Sequence, residues 1–217
     1  MVLDAIRTWW GAALLWTVLH SADYLLTIAG ARLKKLHAAE VLDVSGSYEL
    51  NPLFQKAIDE GRWWSKRFVL SLVVMAGLLA FLGVAGSLPD QLVTPFFGPV
   101  WDGVLGVLIF TRVNIIGRHL QNIWLFRRMG RDPAAVTGRI RYDRPTVLQL
   151  SSVQLLTSSG VLLAVALLDP SPLIIGGVLG CGLVAVRFWR LGVKAAAATA
   201  ASPLPQATRD TGPGAPA

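Results

Sequence analysis

Apolar residues are gathered along this chain into five long runs, with polar and basic stretches between them. The runs extend from about Trp9 to Gly30, Phe68 to Gly86, Phe96 to Ile116, Thr146 to Leu168 and Pro172 to Trp189. Each approaches the roughly 20 residues that carry an α-helix across the hydrocarbon core of a bilayer. The helical pattern of the third run extends towards Met129. Helix breakers agree with these limits. Pro89, Pro95 and Pro99 crowd the second connection, and Asp169-Pro170-Ser171-Pro172 predicts a tight turn between the last two runs. Pro145 stands where a first helical turn tolerates it. The first run is too long for a signal-peptide core and contains His20 and Asp23, which predicts a retained helix.

Composition narrows the class. Of 217 residues 53% are hydrophobic and 15% charged, against about 25% charged in an average soluble domain. An all-α, multi-pass membrane bundle follows, with a transmembrane domain over 1–194. The Ala-, Thr-, Pro- and Gly-rich stretch 195–217 is expected to be a disordered tail. The single cysteine, Cys181, excludes an internal disulfide and reads as a buried thiol.

Net charge is +7. In a soluble domain that would suggest nucleic acid, but here the basic residues alternate between connections. Arg32, Lys34, Lys35, Arg62 and Arg67 lie between the first two runs, and Arg127, Arg128, Arg131, Arg139 and Arg141 follow the third. The other two connections carry no Lys or Arg. This is the positive-inside pattern, so the N-terminus is expected outside and the C-terminus inside. No nucleic-acid partner is expected. With no organellar targeting feature, the composition leans towards a bacterial inner membrane.

Polar residues inside the runs are the candidate chemistry. His20, Asp23 and Thr27 share one helix face at i, i+3 and i+7. An Asp at mid-helix costs about 2.5–3.5 kcal/mol on insertion scales, so it should face the bundle interior and find a partner. Counting about 1.5 Å per residue, Arg112 in the third run lies at the depth of Asp23, with Gln154 near that level in the fourth. Asn114 completes the expected polar cluster. Arg118 and His119 stand where the third run leaves the bilayer, where Arg118 can snorkel and His119 reads as an interfacial residue. A metal site from His20, Asp23, Glu49 and His119 is chemically conceivable but lacks ligand spacing. Gly176 and Gly180 form a small-residue pair suited to helix packing within the bundle. The stretch Ala31–Ser45 reads as a basic amphipathic surface segment or a solvated loop.

Before the second run stand Gly46, Glu49, Asn51 and Pro52, a pattern that also suits a helix start. Together with Asp23, Thr27 and Gly30 these residues resemble a family of small prokaryotic membrane proteins to which no function is attached. The resemblance covers roughly residues 8–85, and the insert Ala31–Ser45 departs from its shorter members. It implies that Asp23, Glu49 and Asn51 belong to one site. Because the loop must return to the bilayer near where the first run left it, the segment with Pro52 is expected on the cytoplasmic side beside Arg118 and His119. The resemblance implies no reaction and no cofactor.

Three functions stay open. The foremost is a structural or partner-binding membrane protein with a polar intramembrane cluster. The others are a small transporter or channel-like protein using Asp23 and Arg112, and an intramembrane enzyme acting on a lipid or small molecule. Expected partners are membrane lipids, with a protein partner or a second copy open. The orientation has a direct test. In a Cys181→Ala background, single cysteines at Gln91 and Val136 should label from opposite sides, only Gln91 reacting with an impermeant reagent added outside. Labelling of Val136 would invert the topology.

Overall fold

A computed structural model describes residues 2–44, 53–86 and 97–201. A short helix α1 (Val2–Arg7) leads into α2 (Trp9–His37), strand β1 (Leu42–Val44) and a five-residue helix α3 (Gln55–Asp59). Then come α4 (Lys66–Gly86), α5 (Phe97–Arg131), strand β2 (Ile140–Tyr142), α6 (Arg144–Leu168) and α7 (Pro172–Ala201). The fold is an all-helical bundle. Five helices, α2, α4, α5, α6 and α7, are long and apolar enough to cross a membrane.

Local chemistry sets the helix starts. The Thr8 hydroxyl accepts from the Gly11 amide at 3.1 Å, and Ser65 Oγ accepts from the Phe68 amide at 3.1 Å. Asp143 caps α6 through the Thr146 amide at 2.9 Å, with Pro145 in the first turn. Hydrogen bonds from Thr146 hold the Asp143 carboxyl below its ordinary range.

Two ends differ from the sequence expectation. The first span does not stop at Gly30 but continues to His37, because nothing in Ala31–Leu36 breaks a helix and basic side chains suit its last turn. The expected surface loop is therefore mostly helix, followed by β1. The last helix continues past Lys194 to Ala201 through an alanine-rich stretch of high helix propensity, where a disordered tail was expected to begin. The Gly46, Glu49, Asn51 and Pro52 segment lies outside the described residues.

The packing order is α4–α2–α5–α7–α6. Trp9 lies against Gly83 and His20 meets Ser71, so α2 and α4 are antiparallel. Asp23 meets Arg112 and Thr27 meets His119, so α2 and α5 are parallel. The α5–α7 seam is also parallel and is built on small residues. A Cβ added at Gly106 would overlap the Leu173 carbonyl, and one added at Gly176 would overlap the Gly103 carbonyl. The Gly176–Gly180 pair thus packs within the bundle, as expected. Ser152 Oγ donates to the Ala185 carbonyl at 2.8 Å and Ser159 Oγ to the Val178 carbonyl at 2.9 Å, which ties α6 antiparallel to α7.

Beyond the ends of α2 and α5, β1 and β2 pair in parallel, Leu42 opposite Ile140 and Val44 opposite Tyr142. Asp43 draws Arg139 at 3.4 Å and Arg141 at 3.8 Å. Ala38, Phe126 and Met129 form a small apolar core beneath this ribbon. At the opposite end, Arg7 forms a two-point pair with Asp102 at 2.8 and 2.6 Å. Trp101 is buried there, and its indole donates to the Arg7 carbonyl at 3.1 Å.

The glycine seam yields a paired prediction. Gly106→Ala should destabilise the bundle by about 1–3 kcal/mol or more, since backbone cannot yield as a side chain can. Gly160→Ala, which meets nothing within 4 Å, should be neutral or stabilising by up to about 1 kcal/mol. Unfolding of the full chain in mixed detergent micelles measures both.

Candidate functional site

The site grows from the fact that α2 lies between α4 and α5. Its polar face points into the seam between them and reaches both neighbours. His20 turns to α4, where its Nε2 is 2.9 Å from Ser71 Oγ, and its ring lies between Trp16 and Phe68. Asp23 turns to α5. The Arg112 guanidinium donates to Asp23 Oδ2, and His119 Nε2 lies 3.2 Å from Asp23 Oδ1. A carboxylate can only accept, so His119 carries its hydrogen on Nε2 in this arrangement. The same Nε2 is 3.0 Å from Thr27 Oγ1, whose hydroxyl donates to the Asp23 carbonyl at 2.7 Å. Arg112 also lies over the Trp16 ring, 4.9 Å from its centre. The Asp23 side chain is 14% exposed and that of Arg112 23%.

The expected meeting of Asp23 and Arg112 is direct, with no bridging group between the two charges. Asn114 does not join them. It lies two residues beyond Arg112, about 200° around the helix, and so faces the other way. It accepts from the Ser158 hydroxyl of α6 and approaches Cys181 Sγ of α7 at 3.7 Å. His119 is also buried within the bundle, at 5% exposure. Arg112 and His119 are seven residues apart and share one face of α5. That i, i+7 spacing was the available signal for adding His119 to the Asp23 group. Arg118 projects from the Asn114 side, where it donates to Ser151 of α6. The two polar faces of α5 are thus Arg112 with His119 towards α2, and Asn114 with Arg118 towards α6. Glu49, Asn51 and Pro52 lie outside the described residues.

A cavity of about 380 Å³ adjoins the ion pair. Asp23, Arg112, Arg118, His119 and Arg187 line it, together with Trp16. Among the described residues neither Trp16 Nε1 nor His20 Nδ1 has a hydrogen-bond partner. No group of three or more His, Cys, Asp or Glu among those residues is placed to hold a metal. Chemically the site offers a carboxylate with both oxygens engaged, beside a cationic hollow. No protein-family model, curated protein or solved structure matches the chain.

The pairing predicts non-additive mutants. Asp23→Asn strands the Arg112 charge in an apolar bundle and should cost about 3–5 kcal/mol. The double variant Asp23→Asn with Arg112→Gln should lose less than the single one. Micelle unfolding of the full chain measures the cycle, and additive losses would refute the coupling.

Proposed function

We propose that the protein is an integral, five-span protein of a bacterial inner membrane, N-terminus outside and C-terminus inside, with a structural or partner-binding role. Lipids surround it, and a protein partner or a second copy completes its setting. The five long apolar helices support membrane insertion. The alternation of basic and non-basic connections supports the orientation. The parallel pairing of β1 with β2 supports an even number of crossings between them, since both strands follow odd-numbered spans.

The observation that carries the role is the self-sufficiency of the Asp23 cluster. Arg112 takes one carboxylate oxygen, His119 the other, and Thr27 is held between. A carboxylate so occupied fastens α2 to α5 without a ligand. A further part of this proposal, implied by the resemblance to a prokaryotic family with Asp in its first helix, is that Glu49 and Asn51 belong to the same site.

One observation favours a second reading, a small ion or anion carrier. It is the cavity beside the pair, where Arg112, Arg118 and Arg187 outnumber the one carboxylate and Trp16 Nε1 lacks a partner among the described residues. An enzyme reading would use Glu49 or Asp23 as acid or base, and both oxygens of Asp23 are already engaged.

Flux assays separate the two readings. The full chain reconstituted into vesicles holding a pH dye or a chloride indicator should carry no more proton or chloride than empty vesicles. Asp23→Asn should leave the traces unchanged. A flux carried by the parent protein and lost in that variant would overturn the structural reading in favour of the carrier.

A further inference from the structure

Arg118 and His119 line two cavities. The second, of about 550 Å³, lies at the basic end of the bundle between α5, α6 and the β1–β2 ribbon. Its volume falls among those of small-molecule sites, about 300–1,000 Å³. It exists because α5 and α6 scarcely pack on each other. Hydrogen bonds join them, Arg118 to Ser151 and Ser158 to Asn114, while each helix packs chiefly on α7. The ribbon then roofs the gap they leave.

The lining is amphipathic and of one sign. Lys34, Arg118 and His119 are on its walls, with Asn122 and Gln154 as further polar groups. None of the described residues that line it is Asp or Glu. The remaining wall is largely apolar, including Leu125, Val136, Ile140 and Leu150. Leu150 is 55% exposed and carries the apolar wall out to the protein surface. Counting about 1.5 Å per residue from Phe97, Arg118 lies about 30 Å along α5, one hydrocarbon thickness from that helix's start. The cations therefore stand at headgroup level, with apolar wall beside them.

We propose that this cavity binds one anionic phospholipid from the leaflet on the basic side. The phosphate sits against Arg118 and Lys34, because a guanidinium and an ammonium are both strong donors to phosphate oxygens. An acyl chain leaves between α5 and α6 over Leu150. A free phosphate ion would satisfy the same cations but would leave the apolar wall uncovered, which is why the lipid is the occupant. This site rests on the membrane-protein reading and adds a defined lipid position to it.

The test has two stages. Membranes bearing the full chain are first washed with alkaline carbonate. Release of the chain into the supernatant would overturn the membrane reading, and the lipid site with it. The chain is then purified in mild detergent and offered equal amounts of phosphatidylglycerol and phosphatidylcholine, and native mass spectrometry counts the lipid retained. One phosphatidylglycerol should be kept in preference to phosphatidylcholine. Lys34→Gln should lower that preference about fivefold, and Arg118→Gln by a similar factor, the contribution typical of one basic residue at an anionic surface. Lys34 is half-buried near the end of α2, so its variant carries the test even where Arg118→Gln fails to fold. Added inorganic phosphate should not displace the lipid. Equal retention of both lipids, an undiminished preference in Lys34→Gln, or displacement by phosphate would each overturn the lipid site while leaving the membrane reading intact.

Discussion

A carboxylate in the apolar body of a transmembrane helix has to be met by charge from a neighbour, and Asp23 imposes that demand on the whole bundle. Arg112 and His119 answer it from α5. In doing so they bring together two helices that α4 separates in sequence. Consecutive helices in a bundle pack easily because a short connection holds them antiparallel. The parallel α2–α5 contact has no such help. Side-chain chemistry supplies it near the middle, and the β1–β2 ribbon supplies it where both helices end. Backbone pairing at one end and an ion pair within the span are thus two fastenings of one seam.

The rest of the packing follows from how α5 divides its surface. Arg112 and His119 face α2, and Asn114 and Arg118 face α6. Ser151 and Ser158, seven residues apart, receive the second pair from one face of α6. On the Asn114 face, nearer the start of α5, runs the glycine seam with α7, where Gly103, Gly106, Gly176 and Gly180 allow backbones to approach. Hydrocarbon offers no hydrophobic drive between helices, so association comes from close contact and hydrogen bonds. This helix uses both.

Hydropathy and breakers made the five spans legible in the sequence, and matching depth made Asp23 and Arg112 legible as partners. What escaped has identifiable causes. Strands of three residues carry too little pattern to register, so β1 and β2 went unseen. His119 was read from its distance to the helix end rather than from its seven-residue spacing to Arg112. That left its contact with Asp23 unread. Asn114 was grouped by depth alone, although two residues on a helix point apart. Depth is a one-dimensional coordinate, and the face of the helix supplies the second. Partner choice in a bundle needs both.

At its two extremes, hydropathy runs against burial. The most apolar span, α4, has 6% of its apolar window buried, whereas the least apolar, α2, has 33%. Val69, Leu70, Val73, Val74 and Phe81 of α4 all point outward. A water-soluble fold would bury such a helix first. An arrangement that exposes it, and turns His20, Asp23 and Thr27 inward, is stable only in a solvent as apolar as the side chains it touches. The same logic locates the chemistry. With the periphery given over largely to lipid, the polar clusters lie on the inward faces of α2, α5 and α6, joined by Ser71 of α4 and Arg187 of α7. The stretch of α5 from Arg112 to His119 meets nearly all of them. Arg118 and His119, placed side by side but facing different neighbours, form the wall between a cavity beside the ion pair and one at the membrane edge. Whatever the bundle binds at its basic end therefore acts on residues contiguous with those that hold it together.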